Sequence, residues 1–350
     1  MFYRKYRPNN LSELDTEDVK EQLASILKSI TIPHAFLFTG PRGTGKTSTA
    51  RIVAKILNAE INKEKITTLD IPEDDPNVKA IAEGNSADVI EIDAASNRKI
   101  DDIRELISQL KFSPLASKYK VYIVDEVHML TKEAFNALLK SLEEPPAHTI
   151  FILATTEIDA LPKTIVSRCI RINFNKAERK DLVHMLERIV KGEKLTVQKE
   201  SLDLIAHIAE GSFRDAAKML EIVSLEGDTS PEAVQKSLGV TNDVNDLLIS
   251  LATNNPTDAL TWVTKAAEQG SDFKFIIEQL LSVLHIELLG KYNIEKGSPK
   301  LASLTVKQIA LFISLLQKAY GQLRISPITS LPLEIAIVEY CTQQETNIKN

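Results

Sequence analysis

The run Gly40-Pro41-Arg42-Gly43-Thr44-Gly45-Lys46-Thr47 restricts this chain more than any other feature. It fits the pattern G-x-x-x-x-G-K-[ST] at every fixed position. The apolar stretch His34–Thr39 enters it as a strand, and Ser48–Leu57 leaves it as a helix. Glycines let a backbone wrap closely round phosphate with its N–H groups turned inward, and a helix N-terminus adds a favourable dipole. Gly40, Pro41, Arg42, Gly43, Thr44, Gly45, Lys46, Thr47 and Ser48 are therefore expected to cradle the phosphates of ATP. Lys46 would neutralise the β- and γ-phosphates, and Thr47 would ligate Mg²⁺.

The surroundings predict an α/β fold. His34–Thr39, Asp88–Ile92, Val121–Val124, Thr149–Ala154 and Ile170–Phe174 are short runs rich in Val, Ile, Leu and Phe. Helical stretches separate them, which points to a parallel five-stranded sheet covered on both faces. Beyond Phe174 the strand signal stops. Residues 177–240 read as a few short helices, with Ser212 as an N-cap. Residues 243–345 read as longer helices, one opened by Pro256 and one starting at Thr305. In the latter, Val306, Ile309, Ala310, Ile313, Leu316 and Tyr320 fall on one helical face. The expected domains are an α/β phosphate-loop domain over 1–175, a small helical domain over 176–241, a larger all-α domain over 242–345 and a polar tail over 346–350.

A second acidic motif follows the third strand. Val121-Tyr122-Ile123-Val124-Asp125-Glu126 is an apolar strand ending in two carboxylates. The carboxyl ends of strands in such a sheet face the ligand crevice. Asp125 is expected to hold Mg²⁺, directly or through water, and Glu126 to polarise the attacking water as general base. His128 reads as a supporting or structural residue. Thr155-Thr156 ends the fourth strand, where either hydroxyl could reach the γ-phosphate or the water.

Composition removes several alternatives. Two cysteines, Cys169 and Cys341, cannot build a disulfide framework or a four-thiolate zinc site. No stretch approaches the ~18 apolar residues of a membrane span, and the N-terminus lacks a signal peptide, so a cytoplasmic protein is expected. The net charge of −6 leaves nucleic-acid contact to local patches such as Arg4, Lys5 and Arg7.

Several separate segments carry a family resemblance: Tyr3-Arg4-Lys5-Tyr6-Arg7-Pro8, the phosphate loop, Glu91–Ser96, Asp125–Leu130 and Phe135–Lys140. Leu142-Glu143-Glu144-Pro145-Pro146, Leu153–Thr156, Ser167-Arg168-Cys169 and Ala209–Asp215 complete the set. Together they resemble the bacterial DNA polymerase III gamma/tau family, the AAA+ motors of the replicative clamp loader. The likeness is strong from residue 1 to about 225 and weaker beyond. It implies an ATP-hydrolysing subunit that opens a sliding clamp and loads it onto primed DNA. It implies a hetero-oligomer with delta, delta-prime and further copies of the same chain. Arg168 resembles the arginine finger that reaches the ATP site of a neighbouring subunit, Arg214 the lid arginine that touches the γ-phosphate, and Thr156 the sensor on the fourth strand, with Thr155 as the fallback. Arg98 and Lys99, at the start of a helix near Asn97–Leu110, are candidates for DNA phosphate contact.

The chain departs from that family at two places. The positions of the four zinc-binding cysteines of most relatives are Ala59, Pro72, Asp75 and Val78 by spacing. No zinc is expected, and the helix near Asn77–Glu83 should be held by packing alone. Asp15-Thr16-Glu17 replaces a Val-x-Gly-Gln-like segment on the adenine side. Three other readings compete. One is another AAA+ DNA motor, either a branch-migration helicase or a replication-factor-C-like small subunit. The others are a non-hydrolysing stator and a protein that uses nucleotide only to fold.

Overall fold

The computed structural model describes residues 1–96, 100–238, 244–294, 301–323 and 325–348. Arg98 and Lys99 lie outside the described residues. Contacts divide the chain into two compact units, Met1–Pro231 and Glu232–Asn350.

The first unit is built on the expected sheet. Its strands are β1 (Ala35–Thr39), β2 (Val89–Asp93), β3 (Lys120–Asp125), β4 (Thr149–Thr155) and β5 (Ile170–Asn173). Their order is β2-β3-β4-β1-β5, and each neighbouring pair is parallel. The ends differ from the sequence reading by a residue or two, as strand ends usually do. Alternation along a strand sends successive side chains to opposite faces. Phe36 and Phe38 thus join Ile52, Ile56, Ile123 and Ile152 on one face. Leu37, Tyr122, Val124, Phe151, Leu138 and Leu142 form the core of the other. Both faces are apolar because helices cover both.

After the sheet come helices Arg179–Glu193, Lys199–Ile208 and Phe213–Glu226. The first, with 15 residues, is longer than two helices of the second unit, Val244–Ala252 and Pro256–Glu268, contrary to the short helices expected here. Ser212 caps the third by accepting the Asp215 N–H at 3.2 Å. The N-terminal helix Phe2–Lys5 packs on the same lid helices. The Met1 ammonium lies 3.3 Å from Glu221, the Phe2 N–H donates to that carboxylate at 3.1 Å, and Lys5 pairs with Glu193 at 2.6 Å.

Among its described residues the second unit contains helices and no strand. Val244–Ala252, Pro256–Glu268, Phe273–Gly290, Val306–Gln322 and Leu331–Ile348 share one apolar core. Pro256 follows the Asn255 cap, and Thr305 forms a capping box with Gln308. The buried face of that helix is Ile309, Phe312, Leu315, Leu316 and Ala319. The face drawn from sequence was rotated: Val306, Ala310 and Tyr320 are exposed. Packing against two neighbouring helices chose a face that one-dimensional periodicity left ambiguous. The expected polar tail is helical as far as Ile348, since neither Gly nor Pro interrupts it.

Polar bonds, as well as packing, hold the helix Pro76–Glu83. The expectation of packing alone fails there. Asp75 caps it, accepting from the Asn77 and Val78 N–H groups and from Glu60 N–H at 2.7 Å. The Asn77 amide donates to the Asn58 carbonyl at 3.0 Å. Ala59 and Val78 are buried as ordinary apolar residues. Among the described residues no group of three or more His, Cys, Asp or Glu side chains is placed to hold a metal.

Asp88, 2% exposed, pins the turn before β3 to the start of β2. Its carboxylate accepts N–H bonds from Leu115 (2.7 Å), Ala116 (2.9 Å) and Ser117 (2.9 Å). Burial is the largest single influence and raises its pKa, but the N–H donors together outweigh it and the net shift is downward. A depressed carboxyl pKa contributes stability above the unfolded value, lost as pH falls through the folded value. Asp88→Asn should cost ~1–3 kcal/mol at neutral pH in urea melts. Its gap from wild type should narrow below about pH 4. Asp75→Ala should cost about 1 kcal/mol by the same assay, as a lost N-cap.

Candidate functional site

The parallel register sets the level of the site. The carboxyl ends of β1, β3 and β4 lie side by side, with β4 between the other two. The phosphate loop leaves β1, Asp125-Glu126 end β3, and Thr155-Thr156 end β4. A cleft of about 1150 Å³ opens there, lined also by the N-terminal segment and by the helices Arg179–Glu193 and Phe213–Glu226.

The loop has the backbone that its glycines permit. Gly43 and Gly45 sit at φ +79° and +97°, in the left-handed region. Gly45 N-caps the helix Lys46–Asn58. A Cβ on Gly43 would stand 2.0 Å from Ser212 Oγ and 3.5 Å from Arg214 Cβ, so the loop touches the start of a lid helix. Lys46 is 6% exposed. Its ammonium donates to the Gly40 and Pro41 carbonyls at 2.7 and 2.8 Å. Burial lowers its pKa, and the charges of Glu126 and Asp125 pull the other way. Pro41 O also accepts the Thr44 hydroxyl at 2.9 Å. Arg42, Gly43, Thr44, Gly45, Lys46, Thr47 and Ser48 line the cleft, while Gly40 and Pro41 form its entry turn.

Thr47 Oγ1 donates to Asp125 Oδ2 at 2.6 Å. These are two hard oxygens side by side beside the loop, a donor set that suits Mg²⁺ completed by phosphate and water oxygens. Glu126 has φ +47°, which a β-carbon disfavours by ~1–2 kcal/mol. Its N–H donates to Asp125 Oδ1 at 2.9 Å, and its Oε2 accepts from Thr156 Oγ1 at 3.1 Å. The two adjacent carboxylates are thereby aimed differently, one at Thr47 and one at Thr156.

Of the two candidate threonines, Thr156 lines the cleft. Thr155 is fully buried and its hydroxyl accepts the Glu157 N–H at 3.0 Å. His128 Nδ1 lies 3.0 Å from Thr155 Oγ1 and 3.5 Å from Glu126 Oε2, a supporting position behind the carboxylate. Arg214 lines the cleft. Arg168 does not. It follows the short helix Lys163–Val166, donating to the Thr164 carbonyl at 2.7 Å and to the Glu143 carboxylate.

Sequence reasoning missed Arg51 and Arg188, which line the cleft. Arg4 lines it too, and so does Arg7, expected beside it in a basic surface patch. Arg7 makes no ion pair among the described residues, and burial, then repulsion from Arg51, disfavour its charge. An anion bound nearby would relieve both. Arg51 is bound by Glu91 through two bonds of 2.6 and 2.8 Å. No local signal marks Arg51 or Arg188; only the Pro8 turn after Arg7 hints at a fixed backbone. Leu14, Asp15, Thr16, Met185 and Ile189 also line the cleft. Asp15 accepts from Arg188 at 2.6 Å and lies 2.8 Å from His184 Nδ1, which ties this departure from the family pattern to the lid.

Gly43→Ala should destabilise the fold by ~1–2 kcal/mol, since alanine is strained at positive φ. It should also weaken nucleotide binding at least about tenfold, because the methyl group displaces Ser212 and breaks the contact between loop and lid. Urea melts and titration with a fluorescent ATP analogue measure the two effects.

Comparison with known proteins bears on this geometry. A family model described as DNA polymerase III, delta subunit, matches residues 15–178. The DNA polymerase III subunit tau of Bacillus subtilis is 38% identical over 97% of this chain and 62% of its own length. The subunit tau of Escherichia coli is 39% identical over 81% of this chain and 44% of its own. This chain thus spans between 44% and 62% of the length of those two relatives. The subunit gamma of Buchnera aphidicola subsp. Schizaphis graminum is 33% identical, covering 97% of each chain. Among solved structures, the Thermotoga maritima RuvB Holliday junction branch migration motor aligns with TM-score 0.50 at 19% identity, over 71% of this chain and 78% of its own. A point mutant of the same protein gives 0.51 at 18%, over 93% and 90%. At such identities the likeness speaks for the AAA+ fold alone. Sharing a third of its residues with a gamma subunit along nearly the whole of both chains, this chain belongs to the DNA polymerase III subunit gamma/tau family.

Proposed function

We propose that this chain is the ATP-hydrolysing motor subunit of a DNA polymerase III clamp loader, opening a sliding clamp and loading it onto primed DNA. One observation carries the reading. The cleft holds Lys46, Thr47, Asp125, Glu126 and Thr156 together, while Arg168 lies outside it. Such a site can bind ATP in one subunit and receive a cation from another.

Each residue then has a distinct task. The loop from Gly40 to Ser48 wraps the phosphates, and Lys46 exchanges its carbonyl partners for β- and γ-phosphate oxygens. Thr47 and Asp125 hold Mg²⁺, which supplies charge neutralisation of the phosphates. Glu126 accepts a proton from the attacking water, and Thr156 fixes its carboxylate. Arg214 meets the γ-phosphate from the lid. Arg168 of a neighbouring copy stabilises the charge of the transition state, so turnover depends on assembly. Residues 1–175 are the ATPase domain, 176–241 its lid and 242–345 the collar that joins subunits. The assembly is a cytoplasmic hetero-oligomer with delta and delta-prime subunits. Family membership supports this reading, and no helix among the described residues is long and apolar enough to cross a membrane. An idle stator is disfavoured by the intact set of Lys46, Thr47, Asp125 and Glu126.

The test is steady-state ATP hydrolysis by the reconstituted loader, with and without its clamp and primed DNA. Clamp and DNA together should stimulate wild type. Arg168→Ala should lose about 10³-fold in kcat while still binding ATP, and Glu126→Gln about 10²- to 10⁴-fold. Hydrolysis indifferent to clamp and DNA, or unchanged in Arg168→Ala, would sink the assignment.

A further inference from the structure

Arg214 is held in an unusual way for a half-buried cation. Its Nε is buried without a hydrogen-bond partner, and it makes no ion pair among the described residues. Its guanidinium carbon instead stands 5.2 Å from the centre of the Tyr3 ring. The same ring carries Arg4 at 5.7 Å and Lys218 at 5.6 Å. Tyr3 is itself fixed, because the residues on either side of it are tied to the lid: Met1 and Phe2 to Glu221, and Lys5 to Glu193.

A carboxylate in place of this ring would hold Arg214 more strongly but would cancel its charge. The face of an aromatic ring attracts a cation through its quadrupole and leaves the full positive charge in place. Tyr3 thus combines orientation with an unneutralised guanidinium at the wall of the cleft. Gly43 of the phosphate loop lies near the Cβ of this same arginine, so the side chain leaves its helix beside the phosphate loop.

We propose that Tyr3 is a positioning residue for the third phosphate of the nucleotide: its ring aims Arg214 into the cleft and so sets the preference for a nucleoside triphosphate over a diphosphate. This rests on the reading of Arg214 as the lid contact to the γ-phosphate. The ring supplies this orientation through its face, while its hydroxyl accepts from Arg4 Nε at 3.1 Å, so phenylalanine should retain the effect on Arg214 and leucine should not.

The experiment measures binding of Mg²⁺–AMPPNP and of Mg²⁺–ADP to the full chain by calorimetry. Tyr3→Leu should weaken AMPPNP about fivefold and leave ADP unchanged. Tyr3→Phe should keep the wild-type ratio. In an Arg214→Ala background, Tyr3→Leu should cause no further loss, the mark of action through that residue. Equal weakening of both nucleotides in Tyr3→Leu, or none, overturns the proposal and leaves the Arg214 reading standing if Arg214→Ala is itself selective against AMPPNP. An Arg214→Ala variant that treats both nucleotides like wild type overturns the proposal and that reading together.

Discussion

Everything at the site depends on the register of three parallel strands. Phe151 pairs with Ala35, and Thr155 with Thr39; Val124 pairs with Leu153. Strands paired in parallel at the same height end at the same height, so segments separated by most of a domain in sequence meet at one edge. The 2.6 Å contact between Thr47 and Asp125 is the result. A slip of one residue in β3 would send every side chain of that strand to the opposite face, where the close packing around Tyr122 and Ile123 would not fit it, so core packing enforces the alignment of the site. Stability of the core and geometry of the cleft are one constraint.

Electrostatics then sort the charges that this alignment gathers. The cations of the cleft are held in different ways. Lys46 bonds to loop carbonyls, Arg51 is bound by Glu91 and Arg188 by Asp15. Arg214 rests on Tyr3, and Arg7 has no ion-pair partner among the described residues. Lys46, Arg214 and Arg7 keep their charge, in a partly buried setting where it is worth more than in water. That excess of unpaired positive charge is what a polyanion such as a nucleotide would satisfy. The carboxylates Asp125 and Glu126 stand at its edge, each bound to a threonine hydroxyl. A net charge of −6 over the chain is no guide to this local balance, because a short-range field depends on which residues are neighbours.

Much of the site was legible because its chemistry is written in contiguous residues. The phosphate loop and the Asp125-Glu126 pair are local motifs whose spacing and flanking strands announce them. The cap at Ser212 and the helix starts at Pro256 and Thr305 are readable for the same reason. Most of what escaped depends on distant partners. Thr155 and Thr156 are chemically alike, and only strand pleating decided which one lines the cleft. Arg7 looked like surface charge until the fold carried it inside. The cap at Asp75 is local, an Asp-Pro start bonded to the Asn77 and Val78 N–H groups, and was simply overlooked; the rotation of the helix after Thr305 was set by neighbours that periodicity does not reveal.

By itself, then, the order of residues determined the α/β class, the position of the phosphate loop, the acidic pair and the family, since these rest on local backbone preference and on matches along the chain. Tertiary structure alone decided that Arg214 lies on Tyr3, that Arg7 and Thr156 enter the cleft, and that Arg168 stays out of it. Those are long-range contacts. They come from packing surfaces against one another in three dimensions, and no short window of sequence contains both sides of any of them.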